Sequence, residues 1–127
     1  MKWTLEVVVV PVSDVERAKA FYADRVGFVV DHDQKHGDMR VLQLTPPGSG
    51  CSIVLGTGTG VGESVPGSLK GLQLVVPDID AARAELIGRG VEVSEIKRFD
   101  DRDGGAFIYF DDPDGNSWAV QEIRARA

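Results

Sequence analysis

Few side chains in this chain can do chemistry, and their spacing excludes most of what they could do. The two histidines, His32 and His36, fall in the run DHDQKHGD. Acids on both sides make a surface metal site conceivable there, but the run reads as the solvated tip of a hairpin, beyond the inner strands. The paired acids Asp100-Asp101 and Asp111-Asp112 sit in loop-like stretches, where aspartate forms turns rather than a catalytic dyad. No Ser, His and Asp are spaced as a nucleophilic triad, and no G-x-S-x-G occurs. The single cysteine, Cys51 in CSIVL, excludes an internal disulfide and suits a small packed side chain. Glu6 and Glu122 fall near strand ends, where exposure at a rim is expected. Tyr109 remains as a general acid for a metal-free reaction. Gln43 and Gln73 are neutral hydrogen-bonding groups, better suited to orienting a ligand than to making bonds.

These residues are carried by a chain that repeats one pattern. Val7 to Val30 reads VVVVPVSDVERAKAFYADRVGFVV, and Leu72 to Val93 reads LQLVVPDIDAARAELIGRGVEV. Each copy runs from an apolar strand through Pro and an acidic cap into an amphipathic helix, then Gly and a second strand. Each also closes alike, with VLQLTPPGSGCSIVL in the first copy and AFIYFDDPDGNSWAVQEI in the second. A period of about 65 residues is too long for a solenoid unit, so the pattern predicts two tandem βαβββ modules. The expected organisation is one domain over residues 1–127: module one at 1–55, a flexible Gly-rich linker at 56–70, and module two at 71–127. The glycines of the linker fit no G-x-G-x-x-G register and precede no helix, so a phosphate loop is not expected.

In the first helix, Ser13-Asp14-Val15-Glu16 predicts a capping box with Ser13 as the cap. Val15, Ala18, Phe21 and Tyr22 should be its buried face, and Gly27 its left-handed stop. In the second, Asp78 should cap, Ile79, Ala82 and Leu86 should be buried, and Gly90 should end the helix. Strands are expected near Leu5–Val10, Phe28–His32, Met39–Leu44, Cys51–Leu55, Leu72–Val76, Val91–Ile96, Ala106–Phe110 and Ser117–Ile123.

Bulk properties narrow the partners. The 127 residues carry a net charge of −6, with 43% hydrophobic and 27% charged side chains, as in an ordinary soluble domain. The acidic balance and the absence of a basic stripe argue against nucleic acid or an anionic membrane surface. No apolar run approaches a membrane span, and Met1-Lys2-Trp3 shows no signal-peptide layout, so a cytoplasmic location is expected.

The combination VPVSDVERAKAFY with GF, then VVPDIDAARAEL, RGV and FDDPDGNSW, resembles the vicinal oxygen chelate superfamily. That superfamily includes glyoxalase I, extradiol dioxygenases and bleomycin-resistance proteins. The resemblance runs over nearly the whole chain in order, and the D-P-D-G-N turn at Asp112–Asn116 is its most specific piece. It implies an α+β fold in which the two modules form a curved mixed sheet around a central cavity, and it implies a homodimer. In metal-dependent members of the group, four strands supply ligands to one divalent ion. Carried onto this chain, the first-strand positions are Val7 and Gly71. The closing-strand position is Ala119, and its counterpart in module one is Val54. None of these can coordinate a hard or borderline cation. Shifting by two residues reaches only Gln73, Ser52, Ser117 and Gln121, a set without charge. No cofactor and no cavity metal are expected.

Alternation separates the strand residues into two faces. Val8, Val10, Leu42, Leu44, Ile53, Leu55, Leu72, Leu74, Ile108, Phe110 and Trp118 should lie beneath the helices. The opposite, mixed face supplies the candidate ligand-binding residues Trp3, Val7, Met39, Gln43, Val54, Gln73, Phe107, Tyr109 and Ala119. Apolar and aromatic walls with a few neutral amides make up a small-molecule pocket, although core or interface packing would use the same residue types. The expected function is metal-independent binding and sequestration of an apolar or aromatic small molecule. The alternative is an enzyme of the same superfamily, either metal-dependent with an unusual ligand set or a metal-free isomerase using Tyr109.

Overall fold

In the computed structural model, which describes residues 1–57 and 65–127, eight strands form two four-stranded mixed sheets. Module one contributes β1 (Val7–Val9), α1 (Val15–Lys19), β2 (Val29–His36), β3 (Met39–Thr45) and β4 (Ser52–Thr57). Module two contributes β5 (Leu72–Val76), α2 (Ile79–Gly88), β6 (Lys97–Arg98), β7 (Ala106–Asp111) and β8 (Ser117–Glu122). The strand orders are β1-β4-β3-β2 and β5-β8-β7-β6, with the opening strand of each module parallel to its closing strand. The sequence repeat is therefore a structural repeat, and the fold is α+β.

Helix boundaries follow local chemistry, with long-range bonds intervening at the start of each helix. Asp14, not Ser13, caps α1, its carboxylate accepting from the Arg17 N–H at 3.1 Å. The expected Ser13 cap fails because that hydroxyl is drawn away to donate to Asp114, 101 residues along the chain, at 2.6 Å. After Lys19, α1 widens into a π-helical stretch, Ala20–Val26, where the Gly27 N–H donates to the Tyr22 carbonyl. Gly27 then turns the chain with a φ of 93°, a conformation that favours glycine. Asp78 caps α2 as the sequence predicts. A second donor at that terminus, the Ile79 N–H, reaches Glu122 at 2.9 Å. Glu122 is thus buried as a helix cap and is not at an exposed rim. Ile79 and Leu86 are buried, while Ala82 is half-buried.

Several expected boundaries move: β1 is Val7–Val9 rather than Leu5–Val10, and β2 runs on to His36 rather than ending at His32. The strand placed at Val91–Ile96 forms its ladder only at Lys97–Arg98. Over the preceding stretch Ser94 both donates its N–H to the Tyr109 carbonyl and accepts the Tyr109 N–H on its hydroxyl, so a side chain replaces a ladder rung. β4 extends through Thr57, past the expected module boundary at residue 55. The rest of the expected linker lies partly at 58–64, outside the described residues.

The helix-facing sides of both sheets meet in a single core. Leu42, Leu44, Ile53 and Leu55 of the first sheet join Ile108, Phe110, Trp118 and Val120 of the second. Phe21, Tyr22 and Phe28 fill the space between them. Trp118 lies 5.7 Å from Tyr22 and 5.6 Å from Phe28, ring centre to ring centre, and stacks on Phe110.

A polar network crosses this core. The Tyr22 hydroxyl donates to Asp112 at 2.7 Å and accepts from the Trp118 indole N–H at 3.0 Å. The Asn116 amide donates to Asp112 and to the Pro11 carbonyl, both at 2.8 Å. Burial, and then the neighbouring Asp112 charge, push the Tyr22 phenol well above its ordinary value, which keeps it a proton donor. Removing that donor in Tyr22→Phe leaves a buried carboxylate and an indole N–H each short of a partner. Chemical denaturation should show a loss of roughly 1–3 kcal/mol, and a change under 0.5 kcal/mol (roughly the scatter of neutral surface substitutions) would contradict this role.

Candidate functional site

Directly opposed residues of neighbouring strands share a face, so strand register defines the mixed surfaces. In the second sheet one row is Gln73, Ala119 and Tyr109, and the next is Val75, Gln121, Phe107 and Lys97. Phe107 and Tyr109 stack with ring centres 6.3 Å apart and planes 6° apart. Phe99 continues the ladder, edge-on to Phe107 at 5.6 Å and 67% exposed. The sequence reading missed Phe99 because it ended the sixth strand at Ile96. Extending the alternation from Lys97 to Phe99 would have found it. Tyr109 is 36% exposed, so this aromatic surface is open.

In the first sheet the matching row is Val9, Val54, Gln43 and His32. His32 is there because of a bulge. Val30 opposes Leu44 on the core side, whereas His32 opposes Gln43, so Asp31 is an extra residue and parity inverts after it. His36 likewise opposes Met39 within the strand. His36 therefore closes the hairpin next to the Gly37-Asp38 turn, at the tip as expected, whereas His32 lies within the strand, because the sequence carried no signal for the bulge. Thr45 donates to the Asp31 carboxylate and its hydroxyl lies 2.6 Å from that of Ser52, which gives this wall a polar string beside Val7 and Val54.

The candidate residues divide between two separate walls. Val7, Met39, Gln43 and Val54 lie on the first sheet, and Gln73, Phe107, Tyr109 and Ala119 on the second. Trp3 precedes β1 and is 86% exposed. Because both helix-facing sides are packed into one core, the two mixed faces turn away from each other. A cleft of 560 Å³ touches Tyr109 and another of 380 Å³ touches Gln73, and neither is lined by the mixed faces of both sheets.

The donor chemistry does not fit a divalent ion at the inferred positions. Val7, Val54, Gly71 and Ala119 offer no side-chain donor. The neutral groups nearby hold protein partners: Gln73 donates to Gln121 at 2.8 Å, Gln121 donates to the Gly104 carbonyl at 2.8 Å, and Ser117 accepts the Gly71 N–H at 3.1 Å. Among the described residues no three His, Cys, Asp or Glu side chains gather as a metal site. No helix among them is long and apolar enough to cross a membrane.

The family model described as the Glyoxalase/Bleomycin resistance protein/Dioxygenase superfamily matches residues 4–120. The chain belongs to that superfamily. Among solved structures, it is similar to TnmS3, an antibiotic binding protein from Streptomyces sp. CB03234, at 38% identity. That match covers 96% of this chain and 97% of TnmS3, with a TM-score of 0.81. A glyoxalase/bleomycin resistance protein from the same organism is 39% identical over 94% of this chain and all of its own, with a TM-score of 0.78. A superfamily member from Sphaerobacter thermophilus is 29% identical over 95% and 98% of the two chains, with a TM-score of 0.79. No curated protein sequence matches significantly.

The superfamily fold holds the strand bearing His32 against α1 through ion pairs on its core-side face. Asp33 accepts from Lys19 at 2.7 Å and from Arg40 at 2.7 and 2.9 Å, and Arg40 also pairs with Glu16. The Arg40 guanidinium, then the Lys19 ammonium, lower the Asp33 carboxyl from 3.8 to about 2. A depressed folded-state value stabilises the fold above the unfolded value and loses that contribution as pH falls through the folded one. Asp33→Asn should therefore cost up to about 1 kcal/mol at neutral pH, as for a partly exposed pair. In thermal melts the difference should shrink as pH falls from 3.8 towards about 2, and a pH-independent difference would contradict the assignment.

Proposed function

We propose that this protein binds and sequesters an apolar, planar aromatic small molecule without a metal ion, in a cavity completed by a second copy of the chain. The observation that carries the proposal is the open ladder of Phe99, Phe107 and Tyr109 on the sheet face opposite the core. Exposed aromatics in a row are costly in water and favour a flat partner that covers them. The rest of the lining is mostly apolar or neutral, with Lys97 opposite Phe107 and Asp31 next to His32 as its charged members. The similarity to an antibiotic binding protein supports the same reading.

Topology supports closure by a second chain. β1 and β5 are edge strands, each paired on one side only, and an open edge is completed by another strand. A homodimer that sets the first sheet of one copy beside the second sheet of the other would bring the Gln43 wall to face the aromatic wall. Sequestration would then consist of burying the ligand between the two walls, with Gln43 and the Tyr109 hydroxyl oriented to its polar atoms. A metal takes no part because the donors present do not fit one. A cytoplasmic protein of this kind would lower the free concentration of its ligand.

Binding of N-phenyl-1-naphthylamine, followed by its fluorescence, tests the proposal. Phe107→Ala should weaken binding by roughly 1–3 kcal/mol, the range for losing an aromatic anchor, and EDTA should leave the parent's binding unchanged. Equal binding by Phe107→Ala would overturn the pocket, and loss of binding with EDTA would overturn its metal independence.

A further inference from the structure

The two walls of the proposed cavity differ in which polar groups are already satisfied. On the second sheet the amides serve the protein, Gln73 bonding to Gln121 and Gln121 to the Gly104 carbonyl. On the first sheet the Thr45 and Ser52 hydroxyls bond to each other, and Thr45 also bonds to Asp31. Gln43 and His32 stand directly opposite one another on neighbouring strands, and neither side chain has a hydrogen-bond partner among the described residues. Side chains so opposed sit roughly 5 Å apart at their Cβ atoms, close enough to donate to one ligand group.

We infer that His32 and Gln43 form an oxygen-recognising subsite. Its ligand class is a planar aromatic bearing an acceptor oxygen at one edge, as in a carbonyl, a phenolate or an acid group. This inference rests on the pocket proposed above and adds the chemistry that pocket selects. An imidazole N–H and an amide N–H converge on the acceptor, while the aromatic wall takes the ring face. Asp31, next to His32 on the bulge, is a carboxylate on this wall, and it accepts a hydrogen bond from Thr45. The bulge creates the subsite. With regular pairing Asp31 would oppose Gln43, and His32 would lie on the core side with Leu42.

Two dyes that share one aromatic skeleton separate the subsite from the pocket. 8-Anilinonaphthalene-1-sulfonate carries an acidic oxygen group, and N-phenyl-1-naphthylamine lacks it. His32→Ala should weaken the sulfonate dye roughly tenfold, as for a lost hydrogen bond to a charged group. It should leave the neutral dye within about twofold, less than one ordinary hydrogen bond is worth. His32→Gln, which keeps an N–H donor, should recover most of the loss. His36→Ala is the control, because His36 opposes Met39 at the far end of the strand, and it should bind both dyes as the parent does. His32 is exposed, so all variants should melt with the parent. If both dyes bind the parent and His32→Ala binds the sulfonate dye equally well, the subsite is wrong and the pocket stands. If His32→Ala weakens both dyes alike, oxygen recognition is likewise overturned. If neither dye binds the parent, the pocket fails and the subsite with it.

Discussion

The buried carboxylate of Asp112 is the constraint on which the rest of the structure depends. It sits in the D-P-D-G-N turn of the second module and takes the Tyr22 hydroxyl from the first. It also accepts the backbone N–H groups of Asp114 and Asn116 and the Asn116 side-chain amide. A charge removed from water is tolerated only when surrounded by donors in this way. Those donors come from both modules, so neither module can satisfy the network alone. The same turn places Asp114 where it captures Ser13 and Arg17, and it brings Asn116 to the Pro11 carbonyl. Two repeats that could have stayed separate are thereby locked around one aromatic core.

That lock sets the geometry of function. Once the helix-facing sides of both sheets are joined, the mixed sides must turn outward. A single chain then presents two candidate walls and four edge strands, β1, β2, β5 and β6. The two walls are unequal. The second sheet offers stacking area with its amides engaged, and the first offers apolar side chains with unengaged polar groups, His32 and Gln43 among them. In the proposed dimer, a ligand held between such walls would meet a flat aromatic surface on one side and hydrogen-bond donors on the other.

Much of this was legible in the sequence because it is written in local patterns. The repeat, the alternation of the inner strands, the Asp78 cap and the Gly27 stop each depend on residues a few positions apart. The misses share a different cause. Ser13 has the composition of a cap but answers to Asp114 far along the chain. Glu122 reads as a rim residue until the N-terminus of α2 is laid across it. Asp31 carries no glycine or proline to mark a bulge, yet one inserted residue inverts parity and moves His32 onto the mixed face. Phe99 was missed because the sixth strand begins late, Ser94 having replaced its first rung. The donor poverty of Val7, Val54, Gly71 and Ala119 was readable by position. The partners of Gln73 and Gln121 were not, because the two amides lie on different strands.

The central claim is that the ligand site needs the first sheet of one chain and the second sheet of another. Subunit exchange between two disabled variants tests it most directly. Gln43→Arg blocks one wall and Tyr109→Arg the other, and each variant alone should fail to bind the naphthylamine dye. After mixing, half of the dimers pair one of each. Such a mixed dimer carries one doubly blocked site and one intact site, so about a quarter of the parent's binding capacity should return. No recovery in a mixture shown to have exchanged subunits would mean that both walls come from one chain, and would contradict a site shared between two.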